Sequence, residues 1–402
     1  MSGKRDDAVW IFAGGPMQEP AARKVKERGF RLIISDRDPG CVCARYADEL
    51  VERDTFDIPG NMDASRWLAR RYEIRAVLPP AADCHETVAH VARSLGLPAV
   101  SPKLARTCRQ KHLTREALTK AGIPQPGFKL VHSADDARAF IRELGGEGVI
   151  KATDNSGSRG FASIGHPDEV TEEVYAHAVA EGTTGAALVE EKLLPVQNEI
   201  AEQSVETLWY NGRMYWLNWV DRLFRKDFLR FPSISTGVYA EVGWGVELGH
   251  INPAVHDFTV KQSVQDLMLR AGRAIGIHRE RGGHILKGDI MLTERGPVLI
   301  ELTPRLSGGW DSSGSTPARG ADFVGGVISM ALGERLTLDL WDRYFEYKNP
   351  NLYASVLAQV SAGAQDCIGR RFAIGTDFER ERAVECALKN LLEGRHVIPV
   401  EQ

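Results

Sequence analysis

Two short apolar runs in the second half of the chain each carry one carboxylate, and nothing else in the sequence constrains fold and chemistry as tightly. Residues 284–293 and 297–303 read as two strands around the turn Glu294-Arg295-Gly296. Asp289 is followed by Ile290, Met291 and Leu292, and Glu301 follows Val298, Leu299 and Ile300. An unpaired carboxylate buried in such a run is strongly destabilising. Carboxylates facing each other on adjacent strands repel unless a cation sits between them, and a hard, oxygen-rich site of this kind suits Mg²⁺ bridging nucleotide phosphates. Arg305 follows shortly after Glu301, past Thr303 and Pro304, where a guanidinium could hold an anion beside the metal. The plainer alternative pairs Asp289 with Lys287 or Arg295 at the surface.

A second cluster lies upstream. Val149-Ile150-Lys151 is a strand ending in a cation, and Asn155-Ser156-Gly157-Ser158-Arg159-Gly160 follows almost at once. Its glycines and serines let successive backbone N–H groups point one way, a nest for phosphate oxygens. Lys151 would add a point charge to the same phosphates. Taken alone, this loop reads better as a flexible surface turn, and it is not a Walker P-loop, since no G-x-x-x-x-G-K-[ST] occurs. Val189-Glu190-Glu191-Lys192-Leu193-Leu194, followed by Glu199, is a strand end passing into a connector. It is either an exposed charged patch or an adenine hinge with a carboxylate for the ribose hydroxyls. Asp221-Arg222-Leu223 and Glu247-Leu248-Gly249-His250 interrupt strand-like stretches, and 224–246 between them reads as a long loop of the kind that forms lids or binding walls. A lone histidine such as His250 is more often structural than catalytic.

The N-terminal part alternates in a different rhythm. The apolar run 9–13 ends in Gly14-Gly15-Pro16, a helical pattern runs through Ala21 and Val25 to Gly29, and a second apolar run covers 30–35. With a further strand at 76–78 and a helical stretch through His85, Val88, Val91 and Leu95, residues 1–100 read as a small parallel α/β domain. Residues 103–120 read as one helix, broken by Gly122-Ile123-Pro124. The stretches 199–210 and 214–223 are β-rich and joined by Asn211-Gly212, a strong hairpin signal. Signals beyond residue 335 are mixed.

Composition narrows the function classes. A 402-residue chain that is 43% hydrophobic and 26% charged can bury a sizeable core. A formal net charge of −4 without a basic block argues against broad nucleic-acid binding. No apolar run is long enough to span a membrane, and the N-terminus does not read as a signal peptide. Six scattered cysteines fit a reducing compartment, so a cytoplasmic location is expected.

Taken in order, these motifs resemble the ATP-grasp superfamily, and in particular its carbamoyl-phosphate-synthase-like carboxylate–amine ligases of amino acids and peptides. The run Lys111-His112-Leu113-Thr114-Arg115-Glu116-Ala117-Leu118 looks like the entry to the family's lid, 149–160 like its lysine strand and phosphate loop, and 189–194 like its adenine hinge. Asp221-Arg222-Leu223 and Glu247-Leu248-Gly249-His250 look like its D-R-L and E-x-G-H segments, and 288–309 like its metal-ligand hairpin. The resemblance covers roughly residues 8 to 335 and implies an α/β chain, α+β in the lid, with an ATP-grasp fold preceded by a Rossmann-like domain. The implied divisions are 1–102, a lid at 103–195, a catalytic and metal-binding part at 196–335, and a small region at 336–402.

The resemblance also implies ATP and Mg²⁺, with Mn²⁺ as a substitute, on the following residues. Asp289, Glu301 and Thr303 would hold the metal; Lys111, Lys151, Ser156, Gly157, Ser158 and Gly160 the phosphates; Glu190, Glu191, Leu193 and Glu199 the nucleoside. Arg305, assisted by Arg159, would serve catalysis, and Arg222, Glu247 and His250 the acid substrate. The partners implied are a small carboxylic acid, expected to be an amino acid, and an amine. No nucleic acid or membrane is implied, and a homodimer is allowed, since dimers are common among such proteins. The sequence departs from the pattern at two places: Asp289 stands where the family usually has glutamate, and Thr303 where it usually has asparagine. A carboxylase or formate-using ligase of the same superfamily and a catalytically degenerate nucleotide-binding protein are the competing readings. A Rossmann oxidoreductase would leave 149–309 unexplained.

Overall fold

The apolar run at residues 8–12 lies wholly inside the protein in a computed structural model, which describes residues 5–155, 159–197, 199–232, 234, 245–359, 371–395 and 397–398. Its side chains alternate between two cores. Val9 and Ile11 pack with Ala21, Ala22 and Val25 of the helix Glu19–Glu27, whereas Ala8, Trp10 and Phe12 pack with Ala64 and Leu68 of the helix Ile58–Arg71. Burial on both faces is what a parallel strand between helix layers requires, and it explains why the run shows no polar alternation. Strands β1 (Asp6–Phe12), β2 (Arg31–Asp36), β3 (Glu49–Glu52) and β4 (Tyr72–Leu78) are parallel in the order β3-β2-β1-β4. The chain winds outward from β1 on one side and returns as β4 on the other, so a crevice opens beyond the ends of β1 and β4. Ala13 and Ala81, just past those ends, hold φ of +71° and +52°, a conformation uncommon for residues other than glycine.

The expected single helix over 103–120 is two helices, Pro102–Arg109 and Lys111–Lys120. They part at Gln110, whose ψ of 102° lies outside the helical range. The break frees the Lys111 N–H to donate to the Thr153 carbonyl at 2.8 Å, which ties the second helix to the chain just after the lysine strand. A small antiparallel sheet follows: β5 (Phe128–Val131), β6 (Gly148–Ala152), β7 (Ala162–Ile164) and β8 (Ala187–Glu190), in the order β5-β8-β6-β7. Its core of Val131, Ile150 and Val189 is covered by the helices Ala134–Glu143 and Glu172–Ala180.

The third sheet is antiparallel with eight strands: β9 (Glu202–Tyr210), β10 (Arg213–Leu223), β11 (Gly249–Asn252), β12 (Gly283–Thr293), β13 (Gly296–Thr303), β14 (Tyr353–Ala358), β15 (Phe372–Asp377) and β16 (Val397–Ile398). Their order is β13-β12-β9-β10-β11-β14-β15-β16. The expected hairpin at Asn211-Gly212 joins β9 to β10 with φ of +48° and +81°, the paired positive values of a type I′ turn. One face of this sheet is apolar and packs on the helix Phe258–Ile275, with Val205, Trp209, Leu286, Ile290 and Leu299 against Val264, Met268 and Ala271. The opposite face is polar. Register alone puts Glu301 beside Asp289, Asp289 beside Ser204, Lys287 beside Glu206, Glu206 beside Asn218, and Arg222 beside His250. The residues after 335, whose local signals were mixed, supply β14–β16 to this same sheet. Among the described residues, no helix is long and apolar enough to cross a membrane.

Candidate active site

The polar face of the large sheet meets the ends of β6, β8 and β4 at one place, and most of the charged residues singled out above converge there. Asp289 and Glu301 are register partners across β12–β13. Asp289 pairs with Lys287 at 2.6 Å, as the plainer reading expected, but this is a buried pair and not a surface one. Its Oδ2 is also 3.5 Å from Arg222, whereas its buried Oδ1 has no hydrogen-bond partner. Burial raises the Asp289 carboxyl, but Lys287, Arg222 and Arg305 outweigh it and hold the group below its ordinary range. Glu301 lies 3.4 Å from the Lys111 ammonium, which also donates to the Asn155 carbonyl. The buried Thr303 stands opposite Lys287.

Lys151 reaches the same region from the end of β6. Its ammonium is 2.6 Å from Glu190, the last residue of β8. Glu190 in turn accepts from Arg115 Nε at 2.7 Å and Nη2 at 3.2 Å. Arg115 was not singled out from the sequence. It is 1% exposed, and its remaining donors reach the carbonyls of Leu299 at 2.8 Å and Ile300 at 2.6 Å in β13. One guanidinium therefore fastens the helix Lys111–Lys120, the end of β8 and the β12–β13 hairpin together. Burial pushes the Glu190 carboxyl up, but Arg115 and Lys151 draw it down to about 2. Lys151 responds in the opposite sense: burial and the neighbouring Arg115 and Lys111 outweigh Glu190 and lower its pKa.

Arg305 is half-buried, with Nε donating to Asp83 at 2.9 Å and Nη1 to the Leu306 carbonyl at 2.8 Å. Asp83, a second residue the sequence reading passed over, follows β4 at the mouth of the crevice. The Rossmann-like unit thus reaches the site through Asp83, and Met17 adds a sulfur 3.2 Å from the Gly309 N–H. Burial lowers the Arg305 pKa, yet Asp83, Glu301 and Asp289 raise it overall. Arg222 sits between Glu202 at 3.1 Å, Glu247 and Asp289. Burial lifts Glu202 to about 7 against the pull of Arg222, with Asp289 and Glu247 adding to the rise.

Other expected residues take different places. Glu191 bonds Arg295 at 2.7 Å and the Gly127 N–H at 3.1 Å, and Leu193 is half-buried in the connector. Glu199 bonds His256 Nδ1 at 2.6 Å, and His256 Nε2 reaches the buried Asp221 at 2.7 Å. His250 is buried, with Nε2 2.8 Å from the Ser315 hydroxyl, and burial lowers its pKa to about 4. Gly160 has φ of +68° and its carbonyl accepts from Ala152 N at 3.1 Å; Arg159 is exposed. Ser156, Gly157 and Ser158 lie outside the described residues, as do 233 and 235–244 of the long segment after β10. Among the described residues, no group of three or more His, Cys, Asp or Glu side chains is arranged to hold a metal. The acidic pair has two members, and a cation there would complete its shell from other oxygens.

No protein-family model matches the chain. It is 24% identical over 303 residues to the uncharacterized protein y4rH of Sinorhizobium fredii, covering 72% of this chain and 55% of that protein. It is 24% identical over 229 residues to the alanine–anticapsin ligase of Bacillus subtilis, covering 55% of this chain and 46% of the ligase. The chain thus spans about half the length of these curated relatives. The crystal structure of an L-amino acid ligase from Bacillus licheniformis superposes with a TM-score of 0.71 at 17% identity, covering 98% of both chains. The ADP complex of an N5-carboxyaminoimidazole ribonucleotide synthetase does so with a TM-score of 0.70 at 16% identity, again over 98% of both. At these identities the likeness to solved structures speaks for the fold.

Proposed function

We propose that this chain, whose fold superposes on an L-amino acid ligase and an N5-carboxyaminoimidazole ribonucleotide synthetase, is an ATP-dependent carboxylate–amine ligase of the ATP-grasp superfamily, activating a small carboxylic acid by phosphoryl transfer and joining it to an amine. The observation that carries this reading is the pairing of Asp289 with Glu301 across β12–β13, with Lys111 on Glu301 and a buried, unpartnered oxygen on Asp289. That donor set fits a hard divalent cation. Asp289 and Glu301, with the Thr303 hydroxyl beside them, would hold Mg²⁺ or Mn²⁺, which when bound neutralises charge on the phosphates. Lys111 and Lys151 hold the phosphate oxygens. The connector after β8 receives the nucleoside. Glu190 is buried against Arg115 and Lys151, so the more exposed Glu199, which bonds His256 through Oε2, is the better carboxylate for the ribose hydroxyls.

In the proposed reaction a carboxylate oxygen of the acid attacks the γ-phosphorus in line and ADP leaves. The amine nitrogen then attacks the acyl carbon, phosphate departs, and the nitrogen loses its proton. Arg305, aimed by Asp83, orients the carboxylate and steadies the oxyanion, a contribution of about 3 kcal/mol for a single well-placed donor. Exclusion of water protects the acyl phosphate from hydrolysis. Two of the proteins named above are amino acid ligases by name, and the carboxylates around Arg222 support an acid that carries its own ammonium.

The test is phosphate release from ATP with Mg²⁺, screened over pairs of amino acids, for the wild type and Glu301→Ala. We expect release that depends on both acid and amine in the wild type, and a loss of at least about 100-fold in the variant. Near-wild-type ADP release by Glu301→Ala would place the metal elsewhere and sink the reading.

A further inference from the structure

The centre of the polar sheet face is occupied by protein. The segment 305–316, which begins with Arg305, lies on it and is held from several strands. Glu206 of β9, 0% exposed, accepts the Ser307 N–H at 2.7 Å and the Ser312 hydroxyl at 2.6 Å through one oxygen. Its other oxygen accepts from Asn218 Nδ2 at 3.2 Å, and the same amide donates to Asp311 at 2.7 Å. His250 and Asn252 of β11 hold Ser315 at 2.8 and 3.3 Å. The segment also departs from regular geometry. Trp310 has φ of +67°, and Asp311–Ser315 is a single π-helical turn, and both features concentrate at functional sites.

Burying Glu206 and Asp311 beside a shared amide is costly, since each ion loses its hydration. Burial raises both carboxyls, and for Asp311 the neighbouring Glu206 adds to the rise. A fold that needed only packing here would be served by apolar residues of similar size. What the carboxylate supplies instead is a fixed acceptor for the backbone two residues after Arg305.

We propose that Glu206 is a positioning residue: by holding the Ser307 N–H and Ser312 hydroxyl, it fixes the 305–316 segment so that Arg305 is presented to the reacting carboxylate. The proposal rests on the ligase reading for its consequence but not for its geometry, and the experiment separates the two. Hydrogen–deuterium exchange is followed on the full-length wild type, Glu206→Ala and Glu206→Gln, together with ADP release from MgATP and a mixture of the twenty proteinogenic L-amino acids. Glu206→Ala should speed exchange at 305–316 at least tenfold while β12 and β13 stay protected. The KM for the amino acid mixture or kcat should worsen about 100-fold, as expected for a displaced reacting group, with the KM for ATP within twofold of wild type. Glu206→Gln, which keeps an acceptor oxygen, should restore protection and most of the activity. Unchanged exchange at 305–316 in Glu206→Ala would overturn the proposal, as would equal losses for ATP and amino acids or loosening spread over the whole sheet. A wild type that releases no ADP would overturn the ligase reading, while the exchange data still decide whether Glu206 fastens the segment.

Discussion

Replacing Glu190 by glutamine should destabilise the protein by about 3–5 kcal/mol, the range for breaking a buried ion pair from one side. The magnitude follows from the geometry. Glu190 is 2% exposed and lies 2.6 Å from Lys151 and 2.7 Å from Arg115, which is itself 1% exposed. The substitution keeps the shape but leaves the buried Arg115 and the largely enclosed Lys151 without their shared counter-charge. A second route gives a compatible value: a carboxyl drawn from 4.5 to about 2 on folding is worth about 3 kcal/mol at neutral pH. The sign follows from the lowered pKa. The stabilisation is fully present above about 4.5 and is lost as the pH falls toward about 2. Urea denaturation at several pH values checks both statements. The stability gap between wild type and Glu190→Gln should be widest near neutrality and should close in acid. Lys151→Met, which leaves the Arg115–Glu190 pair intact, should cost less than Glu190→Gln. A gap below about 1 kcal/mol at pH 7, the scale of an exposed pair, would refute the idea that this triad anchors the nucleotide-side strands.

Two further outcomes are expected. Arg305→Ala should lower amide formation by about 100-fold, the scale of losing one oxyanion donor, while affinity for a non-hydrolysable ATP analogue, read by calorimetry, stays within threefold; unchanged turnover removes Arg305 from the chemistry. His256 is buried, which disfavours its charge, but Asp221 and Glu199 on its two ring nitrogens outweigh burial and raise its pKa above 6.5. Its stabilisation is therefore complete below about 6.5 and lost as the pH rises past the raised value, so the urea midpoints of wild type and His256→Gln should converge toward alkaline pH; parallel curves would contradict this.

What could be read from the sequence was whatever announces itself locally. Asp289 and Glu301 stood out as acids in apolar strands, and the antiparallel register does place them side by side. Asn211-Gly212 announced its turn by the positive φ it needs. Arg115 was missed because its partners lie 75 and 184 positions away. A weak signal was present: Lys111 and Arg115 are like charges one helical turn apart, unfavourable unless carboxylates answer them. Glu206 carried the same sign as Asp289, an acid between Val205 and Thr207-Leu208, and went unread because an aromatic-rich strand suggested packing alone. The addition of β14–β16 to the large sheet could not be foreseen from periodicity, since pairing Gly249 with Leu357 is a tertiary choice.

The charges of the site follow one rule, and it bears on how a triphosphate and a carboxylate could be bound together. Each cation that the proposed function assigns to an anionic ligand is backed by a carboxylate of the protein: Lys151 by Glu190, Lys111 by Glu301, Arg305 by Asp83 and Arg222 by Glu202 and Glu247. Without such partners, clustered cations would repel one another and lose their charge to burial, as the lowered pKa of Lys151 shows even beside Glu190. With them, each positive group is held in a fixed place by a carboxylate partner. The backing carboxylates sit on β8, on β13 and just past β4, so the phosphates and the acid would be gripped from three sheets at once. Arg305 comes from a different unit than its carboxylate, Asp83, as Lys111 does from Glu301, and Arg305 is in addition held by a segment that Glu206 fastens from below.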